Sequence, residues 1–223
     1  MGTHNGGVYL AEQLASILAQ SRPVDEIVLS DDASTDGSVG LAERLVDEHR
    51  AEHGDAPAFV LLRNDAALGV TGNFEQALAV ASGDVVALAD QDDVWRTDRI
   101  AVALAALRAR PEAELVASDA RLVGADGEDL GLRLLETLGI DDEMRERIER
   151  APLEELLRRN LLTGATMLVT RGLIERARPF PRELGPRRVA RDRRVGRRRD
   201  PHLERAAHRL PTARCESDRR DQA

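Results

Sequence analysis

Apolar residues recur along this chain with two periods, and the switching between them lays out its elements. Between Val8 and Ser21, Leu10, Leu14, Ile17 and Leu18 fall at helical spacing, which predicts a helix with one apolar face, closed by Pro23. The short apolar run Glu26 to Ser30 follows and ends abruptly in DDASTDGS, a cluster of turn formers, so it reads as a buried strand entering a loop. Helical spacing returns through Leu41, Leu45 and Val46. A strand is predicted from Ala58 (AFVLLRN), a helix around Asn73 to Ala81 and a strand from Asp84 (DVVALA). Farther on the pattern predicts a helix from Ile100, a strand from Ala113, and a hairpin turning at Asp126-Gly127. Ile140 to Arg159 reads as helical with a break near Pro152; TGATMLVT then reads as a strand and GLIERA as a helical turn or two.

Strand and helix in alternation predict an α/β domain: a doubly wound, mostly parallel sheet with helices on both faces, binding ligands at the C-terminal ends of its strands. Residues 1–181 form this domain. After Pro181 the periodicity stops, and residues 182–223 read as an Arg-rich tail that cannot pack against a sheet.

Charge sharpens that division. The chain has no lysine, and its formal charge of −8 splits into 18 Arg against 33 acids up to Pro181 and 14 Arg against 7 acids beyond it. Such a tail could bind polyanions, as in an RNA-binding protein, but it carries no aromatic side chains to stack on bases, and the acidic body would repel phosphate. No nucleic-acid partner is expected. No apolar run approaches the roughly 20 residues that span a bilayer, and the N-terminus carries no export signal, so a cytoplasmic location, peripheral to a membrane at most, is expected. The single Cys215 cannot form an intramolecular disulfide and is read as incidental. Gly-rich signatures of dinucleotide-binding and P-loop proteins are missing.

Two acidic clusters carry the candidate chemistry, and both follow apolar strands. ALADQDDVW gathers Asp90, Asp92 and Asp93 at a strand mouth, where like charges repel unless a cation or proton compensates them. Oxygen ligands favour Mg²⁺ or Mn²⁺, which commonly join one or two carboxylates to a substrate's phosphates. The same residues also suit an acidic loop capping the next helix. SDDASTDGS places Asp31 and Asp32 at an earlier strand end, where a carboxylate can accept from a ribose hydroxyl or a base N–H; Asp36-Gly37 reads as a structural turn. Trp95 reads as a core aromatic and His4 as a loop residue.

THNGGVYLAEQLASILAQSRPVDEIVLSDDASTDGS, RNDAALGVTGNFEQALAVASGDVVALADQDDVW and LLTGATMLVTRGLIERARPFP together resemble, in order and spacing, family 2 glycosyltransferases of the GT-A fold. The similarity covers almost all of Thr3 to Pro181 and is nearest to bacterial rhamnosyltransferase-like members with a DQDD motif. It implies inverting transfer of a sugar from a nucleoside diphosphate donor of UDP or dTDP type to a cell-surface glycan or lipid-linked acceptor, with Mg²⁺ or Mn²⁺ bridging the diphosphate. By position, the resemblance assigns Asp31 and Asp32 to the donor's base or ribose, and Asp90 and Asp92 to the flank of the nucleotide. Asp93, with Asp92, would hold the metal. Thr3 would lie near the nucleotide, Gly69 and Asn73 would shape the adjoining wall, and Gly164 and Ala165 would border the acceptor.

Two departures from the family follow. A hydrophobic strand ordinarily leads into the T-N-G loop, but only Met1 and Gly2 precede Thr3, so the first strand is expected to be missing, with a gap in the core as the result. The family's H-D-x-W segment, which holds the general base, and its distal Y-R-x-H segment are not found after Pro181. Read one base out of frame, the codons of Leu210 to Asp221 permit Y-R-R-H-D-A-N-Q-I-G-A, and those from Gly185 permit G-H-D-E-W. A frameshift near Leu184 to Arg187 is therefore expected, with a disordered tail, no identifiable catalytic base and impaired activity. Asp192, the one carboxylate between Gly185 and Arg199, is not assigned as the base.

Overall fold

In the computed structural model, residues 1–159, 161–180 and 213–215 are described. Gly2–Thr3 forms β1, followed by helix α1, Leu10–Leu18, which buries Leu10, Gln13, Leu14 and Ile17 along one stripe. β2, Glu26–Asp31, is buried almost throughout, as a strand covered on both faces must be. α2 spans Ser38–His53 and stops at Gly54, whose φ of 73° is the left-handed conformation that ends helices. β3, Ala58–Arg63, pairs with β2 in parallel over six residues, Glu26 opposite Ala58 through Asp31 opposite Arg63. α3 (Gly69–Val80), β4 (Val85–Ala87), β5 (Val94–Trp95) and α4 (Arg99–Ala109) complete the strand and helix alternation.

The second half departs from parallel order. β6 (Leu115–Ala117) is followed by the predicted hairpin, β7 (Arg121–Val123) and β8 (Asp129–Arg133), with Gly127 at φ 81° in its turn. Three helices follow: α5 (Leu134–Thr137), α6 (Asp142–Arg150) and α7 (Pro152–Arg158), the last two divided at Pro152 as expected. The Asp141 carboxylate caps α6, accepting from Met144 N–H at 2.8 Å. A 3₁₀ turn, Gly164–Thr166, enters β9 (Met167–Thr170), and α8 (Arg171–Ala177) closes the domain. β9 runs antiparallel to both β4 and β6.

The strands form three sheets, ordered β1-β2-β3, β4-β9-β6 and β5-β10-β7-β8. The first is wholly parallel, so the parallel sheet expected from sequence is present but does not extend across the molecule. One core joins the sheets: Leu10, Leu14 and Ile17 of α1 pack with Ile27 and Leu29 of β2, Trp95 of β5, Ile100 and Ala103 of α4, and Leu168 of β9.

Two expectations about the chain's ends are modified. Of the strand expected to be missing, two residues are present as β1, pairing parallel with Ser30 and Asp31. Beyond them a cavity of about 400 Å³ lies between β2 and β4. In the tail, Ala213–Cys215 forms β10, whose backbone pairs in parallel with β5 and antiparallel with β7. Three tail residues thus join a sheet, contrary to the expectation that none could. The rest of the Arg-rich tail, including Asp192 and the expected frameshift, lies outside the described residues. No helix among the described residues is long and apolar enough to cross a membrane.

Candidate functional site

The C-terminal ends of β1, β2 and β4 converge, and hydrogen bonds stitch their loops together. Asp32 N–H donates to Thr3 O at 2.8 Å, joining the loops after β2 and β1. The loop after β4 is joined through Gln91, whose Oε1 accepts from Thr3 Oγ1 and from His4 N–H, both at 2.8 Å. Thr3, Asp31, Asp32 and the Asp90 to Asp93 run, assigned together from sequence, are therefore brought together. His4 belongs to the loop as expected, its Nδ1 2.6 Å from Asp32 O. Asp36 is structural as expected: its carboxylate accepts from Gly7 N–H at 2.9 Å and from Ser38 N–H at 3.0 Å, tying the first loop to the start of α2.

The two adjacent carboxylates at the end of β2 have different surroundings. Asp32 is saturated: Oδ1 accepts from Asn64 Nδ2 at 2.9 Å and Leu68 N–H at 2.7 Å, and Oδ2 from Gly69 N–H at 2.9 Å. Burial alone would raise its pKa, but these three donors, with a smaller contribution from His4, hold it below the usual carboxylate value. Asp31 is 2% exposed; its Oδ2 accepts from Ser34 N–H at 3.1 Å, while its Oδ1 is buried without a partner among the described residues. Buried polar atoms are nearly always paired, so this oxygen marks a position where a donor is wanted.

Below them lies a polar network. Asn73 is buried; its Nδ2 donates to Ser30 O at 2.9 Å and its Oδ1 accepts from Ser30 Oγ at 2.6 Å. Gln76 Nε2 reaches Ser30 Oγ at 2.6 Å and Asn64 Oδ1 at 2.7 Å. Asn73 thus touches the site through the strand it braces. Gly69, at φ 76°, supports it by presenting its N–H to Asp32 at the start of α3.

In the second acidic cluster the pKa of Asp90 is raised, first by burial and then by the Asp92 charge, with the N-terminal ammonium acting the other way. Asp92 and Asp93 line a second cavity, of about 210 Å³, opposite Tyr9, Glu12 and Asp126. Among the described residues no three His, Cys, Asp or Glu side chains gather closely enough to hold a metal by themselves. The donor set fits a divalent cation in a narrower sense: two neighbouring acidic residues, Asp92 and Asp93, line one cavity, and such a cation commonly joins one or two carboxylates to water and phosphate oxygens. Asp93 itself is buried beside α1. With its amide turned so that the nitrogen faces the Asp93 carbonyl, Gln13 also accepts from Trp95 Nε1 at 3.2 Å. Trp95 is a core residue as expected, 5% exposed, with the Arg99 guanidinium 4.0 Å above its ring. Arg99 Nη2 donates to Ala165 O at 2.6 Å, which links α4 to the Gly164–Thr166 turn.

Sequence reasoning gave no role to Gln91, although it lies inside the motif, nor to Asn64 or Gln76, and it read Asp126 only as a hairpin-turn residue. Gln91 had a signal of its own, a carboxamide among carboxylates. The others are recruited across 12 residues or more and have none.

The model of the family described as glycosyl transferase family 2 matches residues 1–168. The chain belongs to that family. Among curated relatives, it is 30% identical over 105 residues to the dTDP-rhamnosyl transferase RfbG of Shigella flexneri, covering 45% of this chain and 34% of that one. It is 35% identical over 100 residues to a glycosyltransferase of Nostoc sp., covering 45% and 29%. The chain thus spans about a third of the length of these relatives. Among solved structures it resembles the mannosyltransferase PcManGT of Pyrobaculum calidifontis, in complex with GDP-Man and Mn²⁺. That match has a TM-score of 0.58 at 25% identity and covers 81% of this chain and 46% of the other. S. aureus TarS 1-349, in complex with UDP, shares the fold at a TM-score of 0.54 and 18% identity, covering 78% and 46%. The glycosyltransferase assignment and the GT-A fold expected from sequence both stand.

Proposed function

We propose that the chain binds a nucleoside diphosphate sugar across the ends of β1, β2 and β4 and serves its transfer, with inversion, to a hydroxyl of a cell-surface glycan or lipid-linked acceptor. The observation that carries this reading is the buried Oδ1 of Asp31, without a partner among the described residues, at a strand end whose loop Thr3 and Gln91 join to the Asp90 to Asp93 run. An N–H of the base or a hydroxyl of the ribose satisfies that oxygen. Asp32, whose oxygens are already engaged, fixes the wall formed by Gly69 and Asn73 and leaves the direct contact to Asp31. Thr3, held by Gln91, lies on the nucleotide side, and Asp90 and Asp92 flank the nucleotide.

Asp92 and Asp93 would hold Mg²⁺ or Mn²⁺, which when bound neutralises charge developing on the departing diphosphate. Gly164 and Ala165 border the acceptor side, where small side chains leave room for a sugar. A UDP or dTDP donor is favoured by the likeness to a dTDP-rhamnosyl transferase, and a site of action at the cytoplasmic face of the membrane suits a lipid-linked acceptor. No residue of this chain is assigned as the general base, because the segment that would carry it is not found after Pro181.

Calorimetric titration of UDP, dTDP and GDP in the presence and absence of Mn²⁺ tests the reading. Asp31→Ala is expected to weaken nucleotide binding about tenfold or more with Mn²⁺ present, since it removes a charge-assisted hydrogen bond. Asp92→Ala and Asp93→Ala are expected to abolish the Mn²⁺ dependence. Unchanged binding in Asp31→Ala would falsify the site.

A further inference from the structure

Helix α2 carries two histidines one turn apart, His49 and His53, at its far end from the carboxylate loops. Its first residue, Ser38, is tied to the loop after β2 by the Asp36 carboxylate, and at a rise of about 1.5 Å per residue the pair lies roughly 20 Å along the helix from there. A spacing of four puts both imidazoles on one face. Their rings stack with centroids 4.3 Å apart and planes inclined by 22°, so each ring faces the other across the turn. His49 is half-buried and His53 exposed.

The hydrogen bond made by His53 decides which of its ring nitrogens is available. Its Nδ1 lies 3.1 Å from His49 O. A carbonyl oxygen can only accept, so Nδ1 carries the proton, and Nε2, at the distal edge of the ring, keeps its lone pair. Histidines that ligate metals are ordinarily held in this way, one nitrogen donating to a carbonyl or carboxylate while the other binds the ion. Among the described residues no hydrogen bond fixes the His49 ring, and χ2 of histidine is a broad torsion, so a modest turn of that ring brings one of its nitrogens beside His53 Nε2. The surroundings favour a cation. The last carbonyls of α2 are the negative end of the helix dipole, and Arg50, the neighbouring cation, is engaged by Asp47 at 2.7 Å.

We propose that His49 and His53 form a two-nitrogen site for a borderline divalent transition ion of the Ni²⁺, Zn²⁺ or Cu²⁺ kind, its remaining positions filled by water. Imidazole suits these ions, whereas Mg²⁺ and Mn²⁺ prefer oxygen, so this pair and the carboxylates beside β4 select different ions. No third His, Cys, Asp or Glu among the described residues completes the set. The site is therefore an exchangeable surface chelate that clamps the last turn of α2, unlike a closed structural centre. Leu41 and Leu45 of the same helix pack against the core, so the clamp acts on an element the fold depends on.

Calorimetry and amide hydrogen exchange with Ni²⁺ as the probe test this on the full chain without nucleotide, so the result is independent of the sugar-transfer reading. The chain has 5 histidines, so exchange supplies the location. With Ni²⁺ at about ten times its dissociation constant, the amides of His53 and Gly54 are expected to exchange about tenfold more slowly, and Mg²⁺ at the same concentration to leave them unchanged. His49→Ala and His53→Ala are each expected to weaken this binding about tenfold or more, since each removes one of two ligands. Two double variants separate a chelate from binding by a lone imidazole, and both change exposed residues only. Glu52→His with His53→Ala returns a neighbouring ring at a spacing of three and is expected to restore binding; Ala51→His with His53→Ala places the rings on opposite sides of the helix and is not. Protection that survives either single variant, equal binding by the two double variants, or Ni²⁺ binding that leaves the last turn of α2 unprotected overturns the proposal.

Discussion

Asp31 and Asp32 share a strand end, yet one carboxylate is saturated by donors and the other is half-empty, and the two make opposite predictions. Asp32 holds Leu68 and Gly69 through their backbone N–H groups, so Asp32→Asn, which places an amide against those donors, is expected to cost about 1–3 kcal/mol of stability at neutral pH. Its pH dependence follows from the depressed pKa. The native value lies below the unfolded value near 3.9, so the contribution is complete above about pH 4 and is lost as pH falls through the native value. Urea melts between about pH 2 and 7 should therefore show a shallower acid decline in Asp32→Asn than in the parent; parallel curves would remove Asp32 from the acid limb. Asp31→Asn should behave differently. Asparagine keeps an oxygen for Ser34 N–H and exchanges only the buried oxygen that has no partner among the described residues, so the melting temperature should hold while nucleotide affinity falls. A loss of stability as large as that of Asp32→Asn would mean that the Asp31 oxygen is paired in solution.

At the level of elements, the site depends on how the loop after β1 is locked to the loop after β4. Gln91 accepts from both Thr3 and His4, and a Cβ at Gly6 would collide with the Gln91 side-chain oxygen. Gly6→Ala must therefore push Gln91 out of place, and Gln91→Ala loses the same bonds directly. Each is expected to cost about 1–2 kcal/mol, and the double variant no more than the worse of the two. Additive costs in a double-mutant cycle would show that the two residues act separately.

The same long-range bonding explains which elements were legible in the sequence. β2 and β3 could be read because each carries its own apolar run of Val, Leu and Ile or Phe, buried in β2 and half-buried in β3. β1 and β5 could not, because two residues carry no period and only pairing defines them. α3 begins at Gly69, four residues before the expected start near Asn73, because the Asp32 carboxylate, 36 residues away from Leu68, accepts the first N–H groups of the helix. No local signal announces a cap supplied from another strand. Likewise, strand ends gather the acidic clusters as the α/β rule requires, whereas the antiparallel insertion of β9 between β4 and β6 has no trace in the strand's own composition.

For the whole molecule, the consequence of three sheets around one core is an open apolar slot in the native state. A slot of about 400 Å³ falls within the range of small-molecule sites, roughly 300–1,000 Å³, and Arg22 and Arg108 at its mouth can meet an anionic group. An anilinonaphthalene sulfonate dye has that chemistry, with apolar rings for the slot and a sulfonate for the rim. The folded chain should therefore enhance the dye's emission at neutral pH without denaturant, behaviour ordinarily associated with partly unfolded states. Native binding can be separated from unfolding because Trp95 is the only tryptophan and is buried in the core. Along a urea titration its fluorescence should report one cooperative transition, with dye emission already high before it and falling through it. Arg22→Ser combined with Arg108→Ser should lower dye affinity without moving the transition, since both side chains serve the rim and not the core. Dye emission that appears only once Trp95 becomes exposed would mean that the slot is closed in solution, with β2 and β4 drawn together by a rearrangement of α3 or α4.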